Sequence, residues 1–143
     1  MKKVLIINGP NLNLLGVREP EIYGRLSYAD LVEFIKKSAS ECGLEVVCFQ
    51  SNSEGAIIDE IQRAFGVFDG IVINHAAYTH TSIAIPDAIK AVGLPTVEVH
   101  LSDISKREAY RQVSYTSSAC LTTIAGKGFE GYREALELLR SYK

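Results

Sequence analysis

The chain has 143 residues, of which 47% are hydrophobic, and its 15 basic and 17 acidic side chains give a net charge of −2. This length suits one domain with a full core, and the charge offers no basic surface for nucleic acid or an anionic membrane. The three cysteines form no CxxC pair, which argues against a disulfide framework or a zinc ribbon and is typical of a reducing cytoplasm. The first apolar run, residues 4–7, is too short to cross a membrane or to form a signal peptide. We therefore expect one cytoplasmic catalytic domain over residues 1–143.

Short apolar runs recur along the chain and predict buried strands at residues 4–7, 45–49, 70–73, 95–99 and 120–125. Their lack of strict alternation is typical of parallel strands that are covered on both faces. Helical patterns separate them, at residues 27–43, 54–65, 82–92 and 128–142. Alternating strands and helices predict a doubly wound α/β sheet in three layers, α/β/α. Five strands favour the flavodoxin-like order 2-1-3-4-5, with its switch point between strands 1 and 3.

The connection between the first strand and the first helix, residues 8–26, is unusually long. It is too apolar for a solvated linker, so we interpret it as an active-site loop that closes over a ligand. Its Arg18 and Tyr23 are candidate working side chains. Tyrosine ionises near pH 10, and a cation within about 4–6 Å lowers that pKa by roughly 1–3 units. The pair therefore suits a tyrosinate base, although a packed tyrosine ring and a solvated arginine are the commoner explanation of such a pair taken alone.

Polar residues stand at the carboxyl ends of four predicted strands: Asn8, Gln50 to Asn52, Asn74 with His75, and Glu98 with His100. In open α/β sheets, ligands bind outside these strand ends. We assign Gln50 and Asn52 a structural role. Glu98 and His100 alternate onto one face of their strand, and His100 can donate a proton if Glu98 or a backbone carbonyl fixes its tautomer.

Two further segments carry candidate binding groups. Residues 74–82 hold hydroxyls, an amide and two imidazoles in the switch-point loop, which suits a polyhydroxylated ligand. Residues 100–103 offer backbone amides that can hold a carboxylate, with Arg111 as the nearby countercharge.

Six segments together resemble one family over essentially the whole chain. They are Asn8-Gly-Pro-Asn-Leu-Asn-Leu-Leu-Gly16, Arg18-Glu-Pro-Glu-Ile-Tyr-Gly24, Phe49-Gln-Ser-Asn52, Ala77-Tyr-Thr-His-Thr-Ser82, Val97-Glu-Val-His-Leu-Ser102 and Arg107-Glu108. The family is type II 3-dehydroquinate dehydratase, a hydro-lyase of the shikimate and quinate pathways. The resemblance implies a flavodoxin-like fold and an anti elimination of water from 3-dehydroquinate through an enolate, giving 3-dehydroshikimate. It further implies no cofactor, no metal, and a homododecamer built as four trimers.

The resemblance also implies residue roles. Tyr23 would take the C2 proton with Arg18 holding it as tyrosinate, and Asn11 would hold the water that stabilises the enolate oxygen. His100 would protonate the departing C1 hydroxyl, with Glu98 orienting it. The implied substrate-binding residues are Asn74, His80, Leu101, Ser102 and Arg111, together with Asp87 from a neighbouring subunit.

Two positions depart from the family pattern. His75 stands where the family usually has proline, so the switch-point loop lacks the rigidity that a proline would give at this position. Asp103 stands where it often has asparagine, which adds a negative charge near the expected carboxylate pocket.

Three other functions remain as alternatives. A metal-dependent hydrolase or lyase could use His75, His80, Glu98 and His100 as zinc ligands, although no HExxH-like spacing supports it. A flavin- or nucleotide-binding module would rest on the fold alone, because the first loop has no GxGxxG or P-loop pattern. A non-catalytic assembly protein would use the long loop to bind a partner.

Overall fold

The computed structural model describes residues 1–17 and 25–143. Within these ranges the strands are β1 Lys3–Asn8, β2 Glu45–Gln50, β3 Gly70–Asn74, β4 Thr96–His100 and β5 Thr122–Ala125. They form one five-stranded sheet in the order β2-β1-β3-β4-β5, and every pairing is parallel. The predicted flavodoxin-like sheet and its strand order are confirmed.

The predicted helices are present with small shifts at their ends: α1 Tyr28–Cys42, α2 Glu54–Ala64, α3 Ala84–Val92 and α4 Glu130–Ser141. Helix α1 begins at a capping box in which Ser27 and Asp30 satisfy each other's backbone N–H groups, and it ends at Gly43 in the left-handed conformation. Helix α3 begins two residues later than predicted, because Ser82 uses its hydroxyl to accept from the backbone of Ile85 instead of joining the helix.

The helices cover both faces of the sheet. Side chains at alternate positions of a strand point to opposite faces, so Val4 and Ile6 of β1 pack in one core while Leu5 and Ile7 pack in the other. The first core also holds Leu31 and Ile35 of α1 and Tyr132 and Leu136 of α4, and the second holds Ile57 and Ile61 of α2 and Ile85 and Ile89 of α3. Each fully buried aliphatic side chain contributes about 1.5–3 kcal/mol, so the sheet is held rigidly from both sides.

The strand register places the polar strand ends side by side. Asn8 at the end of β1 pairs with Gln50 of β2 on one side and with Asn74 of β3 on the other. Chain connections leave β1 and β3 in opposite directions along the sheet, so a crevice opens between their carboxyl ends. The predicted switch point is therefore where the candidate residues converge.

The described part of the first loop packs tightly against this edge. The backbone N–H of Gly9 donates to the carbonyl of Asn74 at 2.8 Å, and a Cβ at Gly9 would lie only 2.6 Å from the carbonyl oxygen of His75. Glycine is required there because only a hydrogen fits between the two backbones. Gly16, with a φ of +86°, brings the chain back against the carbonyl of Arg25, so the two flanks of residues 18–24 meet.

Gln50 and Asn52 hold the loop from the β2 side. Asn52 accepts from the backbone N–H of Asn11 at 2.9 Å, and Gln50 donates to the carbonyl of Gly9 at 3.1 Å. Their predicted structural role is confirmed. No helix within residues 1–17 and 25–143 has the length and apolar character needed to cross a membrane.

Candidate active site

A cleft of about 670 Å³, including its open mouth, lies at the carboxyl edge of the sheet. Its walls come from the first loop, the ends of β3 and β4 and the segment that follows β4. The described lining residues are Pro10, Asn11, Leu12, Leu14, Leu15, Asn74, Ala76, Ala77, His80, His100, Leu101, Ser102, Ile104, Arg107 and Arg111. The lining therefore combines apolar side chains of the first loop with imidazoles, an amide and guanidinium groups from the other segments.

His100 and Glu98 form a buried pair at the end of β4. The Nε2 atom of His100 lies 2.6 Å from Oε2 of Glu98, and the hydroxyl of Thr116 donates to Oε1 at 2.9 Å. Burial alone would raise the pKa of Glu98, but the hydrogen bonds from His100 and Thr116 and the nearby His75 outweigh it and hold that pKa below its usual value. Glu98 is therefore an ionised carboxylate at neutral pH.

This pairing determines which nitrogen of His100 serves the cleft. An ionised carboxylate can only accept hydrogen bonds, so His100 donates from Nε2. The nitrogen left for a ligand is Nδ1, which accepts a proton in the neutral ring and donates one in the charged ring. Glu98 itself does not line the cleft and acts from behind His100.

The β3 side of the cleft presents Asn74 and His80. Asn74 is 3% exposed, and its Oδ1 accepts from the backbone N–H of Ala76 at 3.0 Å. His80 lies in the short 3₁₀ helix Ala76–His80, and its Nδ1 is 2.7 Å from the carbonyl oxygen of Val113. A carbonyl can only accept, so His80 donates from Nδ1 and keeps Nε2 for a ligand.

The segment after β4 contributes two arginines to the described lining of the cleft. Leu101 and Ser102 line it, and Arg111 lines it with its Nε 2.9 Å from Oε2 of Glu108. Sequence reasoning missed Arg107, which also lines the cleft and donates from Nη1 to the Ser102 hydroxyl at 3.5 Å. Its presence in the Arg107-Glu108 motif was the available signal. Two guanidinium groups beside one another favour an anionic ligand.

Several predicted residues lie elsewhere. Asp87 is exposed in the first turn of α3 and does not line the cleft of its own chain. Arg18 and Tyr23 fall outside the described residues.

The hydroxyls of the 74–82 segment are not among the described residues that line the cleft. Tyr78 donates from its hydroxyl to the carbonyl of Asn52 at 2.7 Å, and the hydroxyl of Ser82 accepts from the backbone N–H of Ile85 in α3 at 3.0 Å. Among the described residues of the 74–82 segment, only Asn74 and His80 bring polar side chains to the cleft. Hydroxyl-rich sequence alone does not distinguish loop scaffolding from ligand binding.

The departure at Asp103 has a structural role. Its Oδ1 accepts from the backbone N–H and from the hydroxyl of Ser105, at 3.0 and 2.6 Å, and so begins the short helix Ile104–Lys106. These hydrogen bonds hold its pKa below the usual value. The carboxylate does not line the cleft, so the expected added charge in the pocket is absent from the described lining.

The departure at His75 places an imidazole behind the site. The ring is fully buried, neither nitrogen has a hydrogen-bond partner, and Nδ1 lies 3.7 Å from Oε1 of Glu98. Burial lowers its pKa to about 4, against an opposing effect of Glu98. His75 is therefore neutral at neutral pH. Within the described ranges, no three His, Cys, Asp or Glu side chains are arranged to hold a metal ion, so the zinc-site alternative has no geometric support there.

The comparisons with known proteins agree with this geometry. The Dehydroquinase class II family model matches residues 2–140. The chain belongs to the class II dehydroquinase family. The predicted family is thereby confirmed.

Named relatives extend over nearly the full chain. The 3-dehydroquinate dehydratase of Clostridium acetobutylicum is 55% identical over 139 residues, covering 97% of this chain and 96% of that protein. The 3-dehydroquinate dehydratase of Caldicellulosiruptor bescii is 56% identical over 141 residues, covering 98% and 97%. The crystal structure of the type II dehydroquinase from Butyrivibrio crossotus has a TM-score of 0.96 and 48% identity, with 98% of each chain covered. Membership of the class II dehydroquinase family thus rests on sequence and fold alike.

His75 should make the folded protein sensitive to acid. Its pKa is about 4 when folded and about 6.5 when unfolded, so the unfolded chain binds more protons between these values and stability falls as pH falls. Between pH 7.5 and pH 5 this site should remove about 2 kcal/mol from the free energy of unfolding. Proline is the replacement to use, because the φ of −70° at His75 matches proline and Asn74 before it is extended.

The measurement is denaturant unfolding of the wild type and His75→Pro at both pH values. The variant should lose about 2 kcal/mol less than the wild type over this interval. Titrating groups remote from His75 are shared and cancel in the comparison. Equal losses in the two proteins would show that the buried imidazole does not titrate as described.

Proposed function

We propose that this chain catalyses the dehydration of 3-dehydroquinate to 3-dehydroshikimate, the dehydration step of the shikimate pathway, by anti elimination through an enolate. In this proposal residues 1–143 form one catalytic domain. The observation that carries the proposal is the buried Glu98–His100 pair, which aims one imidazole nitrogen into a cleft that also holds two arginines. The family membership supplies the reaction, and the geometry suggests how the described residues perform it.

Binding of the substrate would use the positive and polar walls of the cleft. The substrate is a carboxylate with several hydroxyls, and Arg111 beside the backbone of Leu101 and Ser102 suits the carboxylate. Asn74 and His80 suit the hydroxyls, because each has donor or acceptor capacity left after its protein hydrogen bonds. Directional hydrogen bonds on both sides would fix the ring between the apolar loop and the strand ends.

Formation of the enolate requires a base and a group that stabilises the oxyanion. Tyr23, with Arg18 favouring its ionised form, is the proposed base for the C2 proton. Asn11 is the proposed holder of the water that stabilises the enolate oxygen. In its support, Asn11 lines the cleft in a left-handed conformation, with φ of 69°, and its backbone is anchored by Asn52, so its side chain is placed at the cleft wall.

Loss of the C1 hydroxyl requires an acid. His100 in its charged form donates from Nδ1, and the Glu98 carboxylate stabilises that charge through Nε2. The proton passes to the departing hydroxyl, which leaves as water, and the enolate electrons form the new double bond. A zinc-dependent route would instead be stopped by a chelator and restored by zinc, which gives the alternative a direct test.

Assembly into a homododecamer of four trimers is part of the proposal. Asp87 is exposed on α3 and absent from its own cleft, which suits a carboxylate that serves a neighbouring subunit. Exposed apolar side chains on nearby segments also suit a subunit contact: Ile83, Tyr110, Val113 and Tyr115. The segments that carry them are tied together, since Tyr115 donates its N–H to Thr79 and His80 donates to Val113. We place the enzyme in the cytoplasm, in keeping with its three free cysteines.

Replacing Tyr23 by phenylalanine should separate a base from a packed ring. Tyr23→Phe keeps the ring but removes the proton acceptor, so turnover of 3-dehydroquinate should fall by about 10²–10⁴. The measurement is the ultraviolet absorbance of the conjugated enone product, with circular dichroism to check the fold. Near-normal turnover in this variant would remove Tyr23 from the mechanism, and no turnover by the wild type would refute the proposed function.

Arg18→Ala provides the companion test. If Arg18 acts by favouring tyrosinate, its loss should be partly repaired as the pH rises toward about 10, where tyrosine ionises unaided. An arginine that only binds substrate would mainly raise KM and would show no such recovery in alkali.

Asp87→Asn should weaken catalysis without changing the fold of the single chain. If Asp87 serves a neighbouring site, light scattering should give a mass near twelve chains for the wild type. Mixing Asp87→Asn chains with Tyr23→Phe chains should then restore some turnover, because mixed contacts combine an intact Asp87 with an intact Tyr23. A fully active monomer would contradict this assignment.

A further inference from the structure

The amide of Asn74 is held by a residue that lies outside the cleft. Tyr132 of α4 is fully buried, and its hydroxyl accepts from Nδ2 of Asn74 at 3.2 Å and donates to Oδ1 of Asn8 at 2.6 Å. Asn8 in turn donates from Nδ2 to the hydroxyl of Tyr28 at 3.4 Å. This chain of hydrogen bonds crosses the ends of β1 and β3 beneath the cleft floor.

The chain of hydrogen bonds has a defined direction. A tyrosine hydroxyl has one proton, and Tyr132 gives it to Asn8, so towards Asn74 it can only accept. The other end of the Asn74 amide faces the backbone N–H of Ala76, which can only donate. Both neighbours therefore select the same orientation, with Nδ2 towards Tyr132 and Oδ1 towards Ala76.

The reversed amide would be penalised at both ends. Its oxygen would face a hydroxyl with no proton left to give, and its NH₂ would face the N–H of Ala76. Buried polar groups without partners are costly, so the observed orientation is strongly selected. After these bonds, Asn74 keeps one Nδ2 hydrogen and one Oδ1 lone pair for a ligand. Reversal would exchange the donor and acceptor positions that a substrate hydroxyl meets.

We propose that Tyr132 is a positioning residue that sets the orientation of the Asn74 amide towards the substrate. The inference rests on the proposed substrate-binding role of Asn74. Tyr132 acts through Asn74 and does not touch the substrate, because it does not line the cleft. Its ring packs in the core between α4 and the sheet, and its hydroxyl forms hydrogen bonds with both strand-end asparagines, Asn8 and Asn74.

Tyr132→Phe tests the hydroxyl while keeping the ring. The amide of Asn74 then loses the acceptor of its Nδ2, and only the N–H of Ala76 is left to select its orientation. The KM for 3-dehydroquinate should rise about tenfold, which corresponds to about 1.4 kcal/mol of binding free energy, while kcat should change by less than about threefold. Tyr28→Phe is the matched control, because it removes a hydroxyl from the same network that contacts Asn8 and not Asn74. Its KM should stay close to that of the wild type.

A double-mutant cycle separates positioning from general loosening of the core. If Tyr132 acts through Asn74, Tyr132→Phe should add nothing to the KM of Asn74→Ala, although it raises the KM of the wild type. An equal rise in both backgrounds would overturn the inference. So would an unchanged KM in Tyr132→Phe, or a rise of the same size in Tyr28→Phe.

A second variant covers the case in which Tyr132→Phe does not fold. Asn8→Ala removes the acceptor of the Tyr132 proton, so the hydroxyl becomes free to donate to a reversed Asn74 amide. The KM should rise in the same way, and an unchanged KM would again overturn the inference. An Asn74→Ala variant with unchanged KM would remove the binding role itself, whereas lack of wild-type turnover would instead refute the proposed reaction.

Discussion

The site depends on a carboxylate that has no access to water. Glu98 is fully buried, and each of its oxygens is held by a protein donor, His100 on one side and Thr116 on the other. An isolated charge at a buried position would be expelled or neutralised, so Glu98 can remain ionised there only because of these hydrogen-bond donors. The thiol of Cys120 lies 3.9 Å from Oε1, and burial together with Glu98 raises its pKa to about 12, so it remains a neutral donor. The negative charge of Glu98 thereby lies against the ring of His100, the acid of the proposed mechanism.

The fold places this pair where a ligand can reach one end of it. Glu98 and His100 point to the same face of β4 because they are two residues apart, and His100 is the last residue of the strand. Glu98 thus lies inside the sheet and His100 at its edge. The neighbouring strand β3 ends in Asn74, whose amide is fixed from below by Tyr132 of α4. Rigid elements therefore hold the proposed acid and one proposed binding group, while loops supply the remaining walls.

Much of this arrangement is readable from the sequence, because it follows from periodicity. Apolar runs predicted the strands, the helical pattern over residues 27–43 predicted the first helix, and two-residue spacing placed Glu98 with His100. The family match rests on ordered motifs and is confirmed. The sequence does not show which polar side chains form hydrogen bonds within the protein and are therefore not available to a ligand. Tyr78 and Ser82 look like ligand-binding hydroxyls in sequence, yet they bond to backbone atoms. Tyr132 looks like a core aromatic in sequence. Only the structure shows that its hydroxyl forms hydrogen bonds with Asn8 and Asn74, which are distant in sequence.

The central claim is that the charge of Glu98 makes His100 a proton donor. The most direct test compares turnover of 3-dehydroquinate by Glu98→Gln and by Thr116→Val. Glutamine can still accept from Nε2 of His100 and donate to the Thr116 hydroxyl, so it keeps the hydrogen bonds and removes only the charge. Glu98→Gln should lose at least about 100-fold in kcat, whereas Thr116→Val, which keeps the charge, should lose far less. A folded Glu98→Gln enzyme with near-normal kcat would contradict the account.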